Sequence, residues 1–393
     1  MSSTITNASN QVVNVGPIGK YLFGNKNAES SLFQVRETLI TEYARNTATV
    51  LFDEAVGFDK SLTASIPRLG DLLGEMYIEI SLPALRGTGV SWTNAVGFAM
   101  VEEVEFVIGG TVFSRIGREF MEILDYLGGR GLGVGSVAGR YDSVNLFQRN
   151  GNDEAATLLI KLPFWFCLAL GQCLPIYRMQ FQDIQVRIKT ASFSHCIVNN
   201  EPVSTAIPVP KIDIRLIVDF YILNVPEKME AIAADYTQTF EQFQSITYLV
   251  PDSTHSGRYT LPFTSAIKVL YIVFREIDSE TNNDWFNNKP RGLRNDFIKS
   301  ISLSFNGKPR FEEYKEVFLR RRNSCRNIYT ISFSANPDTN QSTGSANFNM
   351  LENVQLEVNY VPSVPNCRIF VFAKSYNTYN YHAKQSMMGL GFF

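Results

Sequence analysis

The sequence predicts an all-β protein built as two tandem antiparallel sandwiches of eight strands each, with short helices confined to a few connections. Three observations carry this prediction. Short stretches of alternating apolar and polar residues recur along the chain, separated by Gly, Asn and Pro turn signals. Helical periodicity is limited to brief segments between them. The second half repeats the first half's order of elements at offsets of roughly 170 to 200 residues, which points to duplication.

Length and composition agree. A chain of 393 residues is long for one core. Apolar residues make up 45%, aromatics 12% and charged residues only 19%, with 29 Phe and 17 Tyr that favour strands. A formal net charge of −2 leaves no overall basic field to hold nucleic acid by counterion release. The five cysteines (Cys167, Cys173, Cys196, Cys325, Cys367) are odd in number and irregularly spaced, which argues against a disulfide scaffold and for buried free thiols in a reducing compartment. The N-terminus lacks the basic and apolar regions of a signal peptide, and no run of 18 apolar residues occurs. The sequons at Asn7 and Asn340 are accordingly read as chance matches.

Residues 1–20 are small, polar and weakly patterned, and are taken as an arm, for docking neighbours or simply as a loose terminus. In SIPRLGDLLGEMYIEISLPAL (65–85), Met76, Ile78, Ile80 and Leu82 alternate with Tyr77, Glu79 and Ser81, which makes a strand. Met100–Ile108 reads as a strand, Gly109-Gly110 as a tight turn and Thr111–Ile116 as the returning strand. Phe120, Ile123, Leu124 and Leu127 then fall on one helical face over 119–127. Gly128–Gly139 is a glycine-rich excursion. The central stretch 159–190 is expected to be a hairpin: strand Leu159–Phe166, link Leu168–Cys173, strand Pro175–Ile188.

The second half starts after Pro202, Pro208 and Pro210, so the division is drawn as arm 1–20, first unit 21–208 and second unit 209–393. There, 212–240 supplies a long strand, a turn at 224–226 and an acidic amphipathic segment. Residues 299–321 read as a strand ending in Asn306-Gly307, then a short helix, in parallel with the stretch around Gly109-Gly110. NVQLEVNYV (353–361) echoes DIQVRIKT (183–190).

No constellation for catalysis, cofactor binding or metal binding emerges. Gly133-Val134-Gly135 formally fits a dinucleotide fingerprint, but no helix pattern follows it. His195, His255 and His382 stand far apart without a second ligand at metal spacing. Glu102, Glu103 and Glu105 look like one charged patch on a strand rather than an acid/base pair. Arg320-Arg321-Arg322 with Arg326 is the one basic cluster: a cationic helix C-terminus, or a contact with a neighbouring subunit, membrane or nucleic-acid layer. The glycine-rich loop and loop 276–297 are candidates for exposed tips.

Several motifs resemble the double jelly-roll major capsid proteins of large eukaryotic DNA viruses and their polinton-like and virophage relatives. They are Tyr21-Leu22-Phe23-Gly24-Asn25 with Ser31-Leu32-Phe33, Ile66 to Leu72, Leu82-Pro83-Ala84-Leu85, Trp92 to Gly97 and Ile108-Gly109-Gly110 with its helix. Further along come Leu162 to Phe166 with Leu174-Pro175, Asp219 to Leu223 with Glu227-Lys228, Asn347-Phe348-Asn349, and Tyr376-Asn377 with Met387 to Gly391. The chain departs from the family's ending, since Thr378 to Tyr381 follow Tyr376-Asn377 where an aliphatic-arginine step is usual.

The resemblance implies two tandem eight-stranded jelly rolls and a structural, non-enzymatic role without cofactors. It implies a homotrimer whose six rolls form a pseudo-hexagonal capsomer tiling an icosahedral virion shell. Its partners would be itself, neighbouring capsomers, minor capsid and penton proteins and an internal membrane, with no direct specific nucleic-acid binding and assembly in the host cytoplasm. A carbohydrate-binding jelly-roll module, an all-β hydrolase and a minor or vertex capsid protein stand as alternatives.

Overall fold

Two groups of eight main strands emerge, each arranged as two four-stranded antiparallel sheets, in a computed structural model that describes residues 43–85, 90–128, 138–139, 155–199, 208–223, 235–290, 296–315, 327–337, 339, 342–382 and 387–391. In the first group they are β1 (Tyr43–Val50), β2 (Ser61–Ser65), β3 (Leu72–Leu82), β4 (Val101–Ile108), β5 (Thr111–Gly117), β6 (Ala156–Lys161), β7 (Ile184–Thr190) and β8 (Asp213–Leu223). The second group holds β9 (Tyr236–Val250), β10 (Ser256–Thr260), β11 (Ala266–Glu276), β12 (Ile298–Phe305), β13 (Lys308–Lys315), β14 (Ile328–Ser332), β15 (Val354–Tyr360) and β16 (Cys367–His382). Among the described residues the helices are short: α1 (Val96–Met100), α2 (Arg118–Gly128) and α3 (Ile277–Thr281).

The sheets run β1-β8-β3-β6 and β2-β7-β4-β5, then β9-β16-β11-β14 and β10-β15-β12-β13. Adding eight to each label of the first pair gives the second, so the duplication read from the sequence is a duplication of topology. Each group is an eight-stranded jelly roll. The echo between 183–190 and 353–361 is structural: β7 pairs β2 and β4, and β15 pairs β10 and β12. So is the echo of the two turns. Gly109 and Gly110 have φ of +55° and +83°, and Asn306 and Gly307 have +51° and +77°. Both turns therefore place two successive residues in the left-handed region, as a two-residue hairpin on twisted strands requires.

Alternation decides what each strand buries. Met76, Ile78, Ile80 and Leu82 of β3 are buried, while Glu75, Tyr77, Glu79 and Ser81 of its other face are half-buried. One apolar cluster fills the second roll, from Leu270, Ile272 and Phe274 on β11 to Leu356 and Val358 on β15. The other fills the first roll and continues without a break into Phe240, Phe243, Val269, Tyr271, Phe370 and Phe372 of the second.

Four expectations change. First, 159–190 is not a hairpin: β6 pairs β3 in one sheet and β7 pairs β2 and β4 in the other. The stretch between crosses from sheet to sheet through three 3-10 turns that bury Phe164, Trp165 and Phe166. Its apolar content belongs to a core-filling crossover rather than a solvated loop. Second, β8 lies beyond the proline-rich stretch at 202–210 yet hydrogen-bonds β1 and β3 of the first roll. The prolines precede the last strand of roll one instead of the first strand of roll two. Third, Asn306-Gly307 leads directly into strand β13; the expected helix beyond it, and the arginines at 320–322 and 326, lie outside the described residues. Fourth, the described part of loop 276–297 is not simply an exposed tip: Trp285, Phe286 and Asn288 are buried, while residues 291–295 lie outside the described residues. The arm 1–20, the glycine-rich stretch up to 137, Asn7, Asn340 and the acidic segment after 224 also lie outside the described residues.

Candidate functional site: the seam between the two rolls

The outer face of β9-β16-β11 is covered by the first roll, and this seam joins the two rolls. Helix α2 brings Phe120, whose ring stacks on Phe372 at 4.8 Å and 2°, meets Phe243 edge-on at 5.1 Å and lies 5.8 Å from Tyr271. The 3-10 crossover brings Trp165, 4.6 Å from Phe240 and 6.4 Å from Tyr379. Phe113 of β5 adds a contact to Phe240 at 6.3 Å, and Phe98 of α1 meets Phe286 at 6.4 Å. Aromatic pairs at these separations contribute about 0.5–1.5 kcal/mol each beyond the area they bury.

Polar groups give the seam a fixed register. Asn283 Nδ2 donates to the carbonyls of Ser194 at 2.6 Å and Ile197 at 2.7 Å, and Trp285 Nε1 donates to the His195 carbonyl at 2.8 Å. Gln182 clasps the short strand Met387–Leu390: its Nε2 donates to Met388 O at 2.8 Å, and Met388 N donates to its Oε1 at 2.6 Å. An orphaned backbone or amide group here would cost about 1–3 kcal/mol, so only one relative placement satisfies them all.

Charge is paired across the seam too. Arg275 of β11, only 2% exposed, lies 3.5 Å from Glu119 of α2 and 3.7 Å from Glu280 of α3, with its guanidinium 4.4 Å from the Phe370 ring. Arg118 stands 4.0 Å over the Trp285 ring and 3.2 Å from Glu119. Burial pushes the Glu119 carboxyl up, but Arg275 and Arg118 outweigh it and hold it below the ordinary glutamate value. Beyond this network, Lys268 Nζ and Lys374 Nζ bracket Glu241 at 2.6 and 2.5 Å, and all three residues are buried. Lys268 reaches this site because a bulge between Ile267 and Val269 turns it onto the seam face beside Val269.

Of the residues singled out in the sequence, Glu102 and Glu103 border the seam in a cleft shared with Glu119 and Phe243, and His195 lends it a carbonyl. Glu103 pairs Arg115 at 2.9 Å, Glu105 also pairs Arg115, and Glu102 pairs Lys189 at 2.8 Å, so the three carboxylates form the charged outer face of β2-β7-β4-β5. His195 sits beside Trp285 at 5.4 Å, while His255 precedes β10 and His382 ends β16. Cys167, Cys196 and Cys367 are buried free thiols and Cys173 is half-buried; burial pushes Cys173 up to about 11, and Cys196 and Cys367 up to about 12. Cys325 lies outside the described residues. Among the described residues no cluster of three metal-ligating side chains occurs, and no helix is long and apolar enough to cross a membrane.

Sequence reasoning missed the seam. Its signal is present in β11: Val269, Tyr271 and Val273 are apolar where a half-exposed strand carries polar residues, and all are buried. A strand apolar on both faces is covered on both faces. Trp285-Phe286 inside the polar loop 282–290 is a second such signal.

This architecture and the sequence agree with known proteins. The family described as "Major capsid protein N-terminus" matches residues 31–249, and "Large eukaryotic DNA virus major capsid protein" matches residues 227–388. The chain is 24% identical over 285 residues to Capsid protein 1 of Acanthamoeba polyphaga mimivirus, 67% of this chain, and spans about half (48%) of that relative's length. It is 21% identical to the major capsid protein of Pyramimonas orientalis virus across 97% of both chains. The fold matches the quasi-atomic structure of the PBCV-1 virus capsid with a TM-score of 0.77 at 19% identity, covering 92% of this chain and 99% of the other. With the first of the two family matches spanning more than half of its length, the chain belongs to the major capsid protein family of the large eukaryotic DNA viruses.

Proposed function

We propose that the chain is the repeating subunit of a virion shell: a homotrimer whose six jelly rolls form a pseudo-hexagonal capsomer that tiles an icosahedral capsid. The observation that carries this is an asymmetry between equivalent faces. On β11 the outer face (Val269, Tyr271, Val273, Arg275) is buried under the first roll. Its counterpart on β3 (Glu75, Tyr77, Glu79, Ser81) is half-buried and, among the described residues, has no second roll over it. Repeating the intramolecular seam between one chain's second roll and the next chain's first roll makes a heterologous contact, which closes into a ring at three copies if each step turns by a third of a circle. The half-exposed face carries ion pairs such as Lys161–Glu75 at 2.8 Å, as the polar rim of a protein contact does.

In this reading the chain has no catalytic role, and its partners are its own copies, neighbouring capsomers, minor capsid and penton proteins and an internal membrane, with assembly in the host cytoplasm. Residues 1–20 serve as an arm, and the pairing of β8 supports moving the division between rolls from 208/209 to the stretch between Leu223 and Tyr236. Light scattering with negative-stain imaging tests the assembly. Three chains of 44.3 kDa sum to about 133 kDa, with a hexagonal outline expected. A chain that stays monomeric when co-expressed with its capsid partners would remove the proposal.

A further inference from the structure

Where β16 pairs with the strand Met387–Leu390, a guanidinium stands among three tyrosines. The Arg178 guanidinium carbon lies 4.2 Å from the ring centre of Tyr236, 5.2 Å from that of Tyr381 and 5.7 Å from that of Tyr177. The Tyr236 and Tyr381 rings are 5.7 Å apart. Arg178 Nε donates to Tyr177 Oη at 3.2 Å, and Tyr379 beside them commits its proton to Gln238 Oε1 at 2.5 Å. Three polar atoms remain: Arg178 Nη1, Tyr236 Oη and Tyr381 Oη are all buried without a hydrogen-bond partner, and Tyr381 is 1% exposed.

One buried orphan is a tolerable defect, whereas three around a single cation describe a recognition chemistry. A buried unpaired donor costs about 1–3 kcal/mol, and a charge withdrawn from water needs an opposite charge near it. No carboxylate among the described residues pairs with Arg178. A water molecule would satisfy the hydroxyls but bring no opposite charge to the buried Nη1 end of the half-buried Arg178. A small oxyanion accepts from all three groups and neutralises the guanidinium, and planar carboxylates and phosphates suit its fork. The buried Tyr381 helps shield the Nη1 end from bulk water, which strengthens a charged hydrogen bond made there.

We propose that Arg178, Tyr236 and Tyr381 form a binding site for a small oxyanion, carboxylate or phosphate, which ties the first roll's turn Ile176–Arg178 to β9 and β16 of the second. The site stands apart from the assembly proposed above, because its test reads the isolated full-length chain.

The purified chain is dialysed into chloride buffer, and its thermal midpoint is followed while inorganic phosphate, or separately formate, replaces chloride at constant ionic strength. The midpoint should rise by about 1–3 °C and saturate. Saturation by phosphate alone assigns a phosphate-sized ligand, and by formate alone a carboxylate. Arg178→Met should abolish the response and Tyr381→Phe should weaken it. An equal rise in Arg178→Met, or no rise with either anion, overturns the site. So does a Tyr381→Phe variant that is more stable in every buffer with an unchanged anion response, which marks an orphan hydroxyl with no occupant. Tyr381→Phe removes a single oxygen, so the test stands even if Arg178→Met fails to fold.

Discussion

Phe120 of the first roll meets rings on three strands of the second, and Phe120→Ala is a sharp test of whether the seam holds the two rolls together. The ring is 2% exposed and touches Phe372, Phe243 and Tyr271, one from each of β16, β9 and β11. Truncating a buried Phe to Ala costs about 3–5 kcal/mol, the sum of lost transfer free energy and the cavity left behind. Here three ring pairs vanish together, and the contacts of Arg118 with Trp285 and of Glu119 with Arg275 already fix the start of α2, so it has little freedom to collapse into the gap. At about 2–4 °C per kcal/mol for a large domain, the midpoint should fall by about 6–20 °C. Scanning calorimetry of the purified chain measures it. A seam that couples the rolls should also split one transition into two when Phe120 is lost, because each roll has its own apolar core. Phe181→Ala is the control: its ring is 79% exposed, and its removal should change stability by no more than about 0.5 kcal/mol. A Phe120→Ala variant no less stable than Phe181→Ala would refute the claim that this contact couples the rolls.

Three further outcomes follow from the same geometry. The Glu119 carboxylate is held below its ordinary value by Arg275 and Arg118, so its contribution is present above pH about 4.5 and is lost as pH falls through the depressed folded value; the stability gap between wild type and Glu119→Gln, measured by urea denaturation, should be widest at neutral pH and close below pH 4.5. Glu241→Leu leaves Lys268 and Lys374 buried without a counter-charge and should cost about 3–5 kcal/mol, whereas replacing all three residues by apolar ones should cost less, as thermal unfolding of both variants would reveal. Gly307→Ala should cost about 1–2 kcal/mol through its φ of +77° alone, since an added Cβ meets nothing within 4 Å, while Gly109→Ala at φ +55° adds a 2.9 Å clash with Gln182 Nε2 and should cost more in the same measurement.

Much of the fold is legible in the residues, and the reasons are local. Two-residue alternation in Met76–Leu82 and Ile184–Thr190 declares strands with one buried face, and Gly109-Gly110 and Asn306-Gly307 declare turns because few other residues adopt positive φ without strain. The match between 183–190 and 353–361 exposes the duplication. Other features depend on partners that local pattern does not name. Leu162–Phe166 is as apolar as a buried strand, yet Pro163 and the packing of Trp165 between sheets turn it into a crossover. Loop 276–297 is polar in composition and still buries Trp285 and Phe286, because the first roll offers the carbonyls of Ser194, His195 and Ile197.

By itself the sequence determined that this chain is all-β, that its pattern is used twice and where its tight hairpins fall, since strand periodicity and turn chemistry are carried by neighbouring residues. Tertiary structure alone decided that β8 closes the first roll, that Glu119 meets Arg275 across 156 positions of chain, and that the first roll is what covers the outer face of β11. The physical reason is that alternation with period two reports which residues share a face. Which strand lies alongside, and what covers the face, is set by hydrogen-bond pairing and close packing between segments far apart in the chain.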